Sequence, residues 1–181
     1  MIINVATLLR EAPGAARHLE VAGELAQVAS ERYRREAEGE VRLLRTTRGI
    51  LVRARLTVEP EYECSRCLRA FTTPVELIIE ELFAFKRDPV THAVVEVGPD
   101  DFQLEDEQYL DLSEAIRQYE ESARPIKPLC RPDCAGLCPN CGSDWNEGPC
   151  ACTASDSDPA WSALNELASR LRATEVSDGR S

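Results

Sequence analysis

The sequence predicts an α+β fold, in which a mostly antiparallel, curved sheet packs with two helices and a cysteine-rich, zinc-binding loop joins those helices. Three observations support this prediction. Apolar and polar residues alternate along residues 50–59 and again along 74–85, which is the two-residue period of half-buried strands. Two later segments carry apolar residues at helical spacing. Between these segments, residues 130–152 hold six of the chain's eight cysteines.

Length, composition and charge narrow the class of protein. The 181 residues suit one domain of ordinary size, and no run approaches the roughly 18 apolar residues of a membrane span. The N-terminus lacks the basic lead of a secretion signal, so we expect a cytoplasmic protein. A net charge of −11 argues against tight nonspecific binding to nucleic acid, which depends on neutralising phosphates. It suits a basic protein partner and leaves open RNA contact through the arginine-richer segment 1–75.

The segment 1–59 predicts a series of strands. The stretches with an apolar or alternating pattern are 2–9, 18–25, 41–45 and 50–59. Residues 46–49 have the composition of a turn. Arg53 and Arg55 lie on the polar face of the last of these strands. A solvated outer face is the default for such charges, and the alternative is a face that binds RNA phosphates.

Cys64 and Cys67 lie between two predicted strands, because the alternation resumes at Pro74 and continues to Phe85, with Glu81 as the exception. Two thiolates in a tight turn are typical of a zinc knuckle. In a thioredoxin-type redox site, the pair begins a helix instead. The strand pattern after Cys67 therefore favours metal binding over redox catalysis.

The second half of the chain predicts an acidic loop and two helices. Residues 86–110 are acidic and interrupted by proline and glycine, which is typical of a solvated loop. Asp111 and Glu114 predict a capping box for a helix that ends near Ala123. Asp158-Pro159 predicts the start of the last helix, whose apolar stripe we interpret as a core contact. The predicted organisation is a sheet core with the acidic loop and first helix at 1–125, a zinc-knuckle segment with the last helix at 126–172, and a disordered tail at 173–181.

The eight cysteines form four pairs, Cys64/Cys67, Cys130/Cys134, Cys138/Cys141 and Cys150/Cys152. Structural disulfides are rare in the cytosol, and zinc takes four soft ligands in a tetrahedron at about 2.3 Å. The third pair, in Cys-Pro-Asn-Cys-Gly, is the strongest zinc signal, and the fourth pair could complete its set. The second pair could supply that set instead, or it could join the first pair.

The hypothesis that the chain is an enzyme has weaker support. Cys134, Cys138 and Cys141 have the spacing of the iron–sulfur motif of radical enzymes that use S-adenosylmethionine. In those enzymes the motif comes early and a βαβ series follows, whereas here it comes late, after antiparallel-looking strands. The two histidines, His18 and His92, do not form a recognisable dyad with a cysteine. We therefore predict no catalytic residue.

Two blocks of sequence resemble a known family. The first is Glu63–Phe71, and the second runs from Asp111-Leu112 through Pro125–Cys130, Cys134–Gly142, Trp145-Asn146 and Cys150–Cys152 to Asp158-Pro159. Together they resemble the YceD-like family, the large ribosomal RNA subunit accumulation proteins, over roughly residues 50–171. Trp145 departs from the family pattern, in which an aliphatic residue precedes the asparagine, and it either shields the metal or packs on the knuckle.

The resemblance implies a noncatalytic role in ribosome biogenesis. Such a protein supports the accumulation or processing of large-subunit ribosomal RNA, or assembly of the subunit, by binding that RNA, a ribosomal protein or both, and it has no membrane or small-molecule partner. The candidate RNA-binding residues are Arg53, Arg55, Arg66 and Arg69. The alternative function is a zinc-stabilised protein–protein adaptor without RNA contact.

Overall fold

The computed structural model describes residues 1–28, 33–87, 94–95, 97–98, 101–104, 108–152, 161 and 163–168. The chain divides into two compact units, Met1–Cys134 and Ala135–Ser181. Across the described ranges, no helix has both the length and the apolar composition needed to cross a membrane. The domain boundaries predicted after residues 125 and 172 stay predictions.

Within its described residues, the first unit contains eight named strands and two helices. In chain order they are β1 (Ile2–Asn4), α1 (Ala6–Arg10), β2 (Ala16–Val28), β3 (Tyr33–Arg45), β4 (Gly49–Val58), β5 (Glu61–Glu63), β6 (Ala70–Thr72), β7 (Val75–Ala84), β8 (Tyr109–Asp111) and α2 (Ser113–Ala123). The main sheet has the order β2–β3–β4–β7, while β1 pairs with β8 and β5 pairs with β6. All these pairings are antiparallel, so the predicted α+β class is confirmed.

The inner face of the main sheet forms the core together with α2, which packs against β7 and β2. The alternation predicted for β4 is confirmed, because its inward side chains are all buried at 3% exposure or less: Ile50, Val52, Ala54, Leu56 and Val58. Glu81 interrupts the inward row of β7, and its carboxylate accepts a hydrogen bond from the Tyr119 hydroxyl at 2.9 Å. A polar residue is tolerated on this face because α2 supplies that donor.

The N-terminal segment differs from its prediction as a single strand over residues 2–9. β1 ends at Asn4, and α1 begins at Ala6, whose backbone N–H donates to the Asn4 side chain at 3.1 Å. The buried residues are Ile3, Val5 and Leu8. Their spacing changes from two residues to three, which marks the change from strand to helix.

Two strands are longer than predicted, and α2 begins differently. β2 and β3 each span 13 residues, because pairing continues through the charged residues 34–40, where alternation of apolar side chains is weak. The N-cap of α2 is Leu112 rather than Asp111. Asp111 still accepts a hydrogen bond from the Ser113 N–H at 2.9 Å, but Glu114 pairs with Arg117 at 2.7 Å and no capping box forms. The inward side chains at the start of α2 are Leu112, Ala115 and Ile116, all fully buried, and Tyr119 is partly buried against the same core.

The second unit contains the later cysteines and a helical segment at 163–168. Leu164 and Leu167 are 53% and 51% exposed there, so the interpretation of this stripe as a core contact is wrong for the part of the helix that is described. The predicted start at Asp158-Pro159, the apolar Leu171, His92, most of the predicted acidic loop's carboxylates and the tail at 173–181 lie outside the described residues.

Two glycines of the β2–β3 hairpin allow a graded test of backbone strain. Gly39 has φ +141°, and a Cβ there would overlap the backbone oxygen of Arg55 on β4. Gly39→Ala is therefore expected to lower the free energy of unfolding by at least about 2 kcal/mol, since left-handed strain and a backbone clash add. Gly23, the extra residue of a β-bulge in β2, has φ +73° but open space around it.

Gly23→Ala is the matched control, with an expected loss of about 1 kcal/mol from strain alone. Urea unfolding of the two variants checks both values. Equal losses at the two positions would show that the close approach of β3 and β4 at Gly39 is not a constraint.

Candidate metal centres

The first cysteine group joins residues that are far apart in the chain. The Sγ atoms of Cys64, Cys67, Cys130 and Cys134 all lie within 4.8 Å of one another. The Cys64 and Cys134 sulfurs are 3.8 Å apart, and the Cys67 and Cys130 sulfurs are 3.7 Å apart. A tetrahedron of sulfurs at about 2.3 Å from zinc has edges of about 3.8 Å, whereas a disulfide requires about 2.05 Å. The four free thiols therefore fit a tetrahedral metal site.

The β5–β6 hairpin positions the first knuckle. Its turn is closed by two backbone hydrogen bonds of 2.9 Å, from the Cys64 N–H to the Arg69 carbonyl and from the Leu68 N–H to the Cys64 carbonyl. The Ser65 N–H donates to the Pro128 carbonyl at 2.9 Å. This last bond ties the knuckle to the segment after α2, which brings the second cysteine pair to the first.

The surroundings of the first group favour the thiolate form of one cysteine and disfavour it in another. Backbone N–H groups of Cys130 and Cys67 donate to the Cys64 sulfur and lower the pKa of that thiol to about 6. Burial and the neighbouring sulfurs raise the pKa of the Cys130 thiol to about 12. Four sulfurs this close do not all ionise unless a cation offsets their mutual repulsion, so the donor set suits a soft divalent metal.

The second cysteine group lies within the second unit. The Sγ atoms of Cys138, Cys141, Cys150 and Cys152 also lie within 4.8 Å of one another. The pairing left open by the sequence is thereby resolved: the fourth pair joins the third, and the second pair joins the first. Cys141 and Cys152 are exposed, whereas three of the four cysteines of the first group are buried.

The two knuckles share one backbone pattern. The Cys138 N–H donates to the Ser143 carbonyl at 2.8 Å, and the Gly142 N–H donates to the Cys138 carbonyl at 2.9 Å. These bonds join the same positions of the turn as the two bonds of the first knuckle. The residue after the second cysteine has positive φ in both turns, +74° at Gly142 and +58° at Leu68. Glycine is the usual residue in this conformation, so Leu68 is the exception.

Polar side chains form hydrogen bonds with sulfurs of the second group. The Ser143 side chain and N–H donate to the Cys141 sulfur and lower the pKa of that thiol to about 6. The Trp145 indole N–H donates to the Cys150 sulfur at 3.5 Å and lowers the pKa of the Cys150 thiol. Trp145 therefore bonds a candidate ligand rather than only packing beside it.

Asp144 and Asn146 are structural residues that the sequence reasoning missed. The Asn146 side chain accepts a hydrogen bond from the Ala135 N–H at 2.8 Å, and the Asp144 carboxylate accepts one from the Asn146 N–H at 2.8 Å. These bonds hold the turn that presents Trp145. The preference of Asp and Asn for such turns was the available signal.

Trp145→Phe is expected to weaken metal binding at the second group by about tenfold or more, since loss of a hydrogen bond to a ligand typically costs that much. Competition with a chromogenic chelator measures the effect. Trp161→Phe is the control, because Trp161 is 58% exposed and follows the last cysteine in the chain. Equal affinities for wild type and Trp145→Phe would show that the indole does not support the site.

The four predicted RNA-binding arginines lie in two places. Arg53 and Arg55 are on the outer face of β4, where the Arg53 guanidinium pairs with Glu80 at 2.9 Å and Arg55 lies opposite Glu40 on β3. Arg66 and Arg69 are on the first knuckle. Arg66 donates to the Cys134 carbonyl at 2.7 Å, so it also supports the first group. RNA binding by these residues stays a prediction.

Known proteins resemble this chain over most of its length. The sequence model of the family described as "Large ribosomal RNA subunit accumulation protein YceD" matches residues 52–168, a range that includes all eight cysteines. Uncharacterized proteins of Mycobacterium tuberculosis and Mycobacterium bovis are each 31% identical over 128 residues, which is 71% of this chain and 60% of theirs. An uncharacterized protein of Mycobacterium leprae is 29% identical over 141 residues, 77% of this chain and 63% of its own.

The match therefore spans less than two thirds of the length of these relatives. No solved structure matches the chain at a significant level.

Proposed function

Because the chain belongs to the YceD family of large ribosomal RNA subunit accumulation proteins, we propose that it is a noncatalytic, cytoplasmic factor that supports accumulation of large-subunit ribosomal RNA. The observation that carries this proposal is the family match over residues 52–168, which takes in most of β4 and all of β7, α2 and both cysteine groups. The factor acts on processing of the RNA or on assembly of the subunit, through contact with the RNA, a ribosomal protein or both.

Two structural zinc ions are part of this proposal. The sulfur spacing in each group suits tetrahedral zinc, and thiolates are soft ligands that favour it. Each group offers four cysteines, so a bound ion keeps no open position for water or substrate, which is the arrangement of a structural site. The ions hold the two knuckles in shape and take no part in a reaction.

Elemental analysis of the purified full-length protein tests the metal content. We expect two zinc ions per chain, no iron and no visible absorbance. A brown preparation with iron and acid-labile sulfide would support the iron–sulfur enzyme instead. A fully reduced, folded protein that binds no metal would contradict the structural role of both groups.

Depletion of the protein tests the function. We expect large-subunit ribosomal RNA to fall relative to small-subunit RNA, precursors of the large subunit to accumulate, and the protein to migrate with those precursors in sucrose gradients. Unchanged precursors after depletion, with no comigration, would contradict the proposal. Comigration that depends on a ribosomal protein, with no RNA binding by the purified factor, would favour the adaptor function.

A further inference from the structure

We propose that RNA binds at the exposed surface around the first cysteine group, and not on the outer face of the main sheet. This knuckle surface consists of residues 65–69, in the turn between β5 and β6, and residues 124–131, which follow α2. The inference rests on the proposed function for the class of partner, and it adds the place on the molecule where that partner is held.

Positive charge is concentrated on the knuckle surface. Its two segments contain five cations and no acidic residue, in a chain of net charge −11. The cations are all exposed: Arg66, Arg69, Arg124, Lys127 and Arg131. Acidic residues border the surface, and Arg131 pairs with Asp133 at 3.6 Å. In a chain of negative net charge, a basic surface attracts a polyanion locally and so orients it.

The two segments form one continuous surface. The sulfurs of their cysteines lie within 4.8 Å of one another, and the Ser65 N–H donates to the Pro128 carbonyl at 2.9 Å. Ser65, Arg124 and Ile126 line the same shallow depression. A bound metal would make this a rigid platform, which reduces the ordering cost of binding.

Two large aliphatic side chains stand out from the knuckle surface. Ile126 is fully exposed and Leu68 is 58% exposed. Leu68 also has φ +58°, a conformation that costs a side-chain-bearing residue about 1–2 kcal/mol and that the second knuckle gives to Gly142. Strain kept at an exposed apolar residue points to a contact outside the chain. RNA loops present unstacked bases beside phosphates, which is the combination that aliphatic and cationic side chains can bind together.

The outer face of the main sheet is a poorer RNA site. Arg53 is paired with Glu80 at 2.9 Å, and Arg55 faces Glu40 across the β3–β4 pairing. This face carries charges of both signs, with Arg42 opposite Arg53 and Glu40 opposite Arg55, so phosphates meet repulsion as well as attraction. Of the four arginines predicted from the sequence, the inference keeps Arg66 and Arg69 and sets Arg53 and Arg55 aside.

A charge-reversal pair tests the inference with a matched control. Arg69→Glu/Lys127→Glu changes the knuckle surface, and Arg53→Glu/Arg55→Glu makes the same change of charge on the sheet. The probe is a transcript of large-subunit ribosomal RNA bound to zinc-loaded, full-length protein. We expect the knuckle variant to raise Kd at least tenfold and to reduce the slope of log Kd against log salt concentration by about two, one for each phosphate that is no longer neutralised. The control is expected to stay within twofold.

Leu68→Gly separates an RNA contact from a structural role. The change relieves the strained φ, so thermal stability and zinc content are expected to stay equal or rise, while Kd for the transcript rises about threefold. A purely structural leucine would leave the Kd unchanged. Zinc content and circular dichroism are measured for every variant, and Arg69→Gln/Lys127→Gln replaces the reversal pair if that pair fails to fold.

Three results would overturn the inference. They are equal losses in the two charge-reversal variants, binding of a polyglutamate peptide but not of RNA, and wild-type affinity in the knuckle variant. Each is distinct from failure of the proposed function, which depletion reports. Normal precursors in depleted cells would refute the function even where the purified protein binds RNA through the knuckle, and altered precursors with no RNA binding would refute the inference alone.

Discussion

Replacing Cys64 by serine is expected to release one of the two proposed zinc ions and to lower the melting temperature by about 10 °C or more. The Cys64 sulfur is fully buried, and a serine hydroxyl is a poor replacement for a thiolate ligand. Structural zinc supplies roughly 10–16 kcal/mol in small peptides. In a chain of this length, loss of even a third of that corresponds to about 10 °C, at about 2–4 °C per kcal/mol.

Cys152→Ser is the matched control for that substitution, because it removes an exposed ligand from the second group. Both variants are expected to lose one zinc equivalent, measured with a chromogenic chelator. Only Cys64→Ser is expected to destabilise the main sheet, followed by circular dichroism in the β region. A Cys64→Ser protein with two zinc ions and wild-type melting would show that the first group is not a metal site.

Replacing Phe83 by alanine is expected to lower the free energy of unfolding by about 3–5 kcal/mol, the usual cost of deleting a large aromatic side chain from a core. Phe83 is 2% exposed on the inward face of β7. Its ring stacks on Phe102 with the centroids 5.1 Å apart. The substitution therefore removes a packing partner as well as apolar area, and urea unfolding measures the loss.

Ile78→Ala on the same strand serves as the control. Ile78 is 62% exposed on the outer face, and its truncation is expected to change stability by less than about 0.5 kcal/mol. Similar losses at the two positions would mean that the two faces of β7 are not distinguished by burial, contrary to the packing described above.

The parts of the fold that could be predicted from the sequence are those in which a short local pattern is sufficient to define the structure. β4 alternates from Val52 to Val58, so the two faces of that part follow from the sequence alone. β7 contains one anomaly, Glu81, whose partner Tyr119 lies 38 residues further along the chain. Local reasoning identified the anomaly but had no means of finding the hydroxyl that satisfies it.

The cysteine sites also combine features that the local sequence predicts with contacts that it does not predict. The spacing within each pair marked both knuckles, because two thiolates in one turn are a local feature. The choice of partner for the Cys130/Cys134 pair depended on the tertiary contact between Ser65 and Pro128, which has no sequence signature. The full lengths of β2 and β3 were missed for a similar reason, since strand pairing continues where apolar alternation is weak.

The two cysteine groups close segments of very different size. The second group closes the short segment 138–152, whereas the first closes the segment 64–134, which is several times longer. Because the entropy cost of closure grows with the length of the intervening chain, the second knuckle can form from local sequence as soon as it is synthesised. The first group closes only when the β5–β6 hairpin and the segment after α2 come together across residues 64–134, so a metal bound there would be held only once that part of the chain has folded.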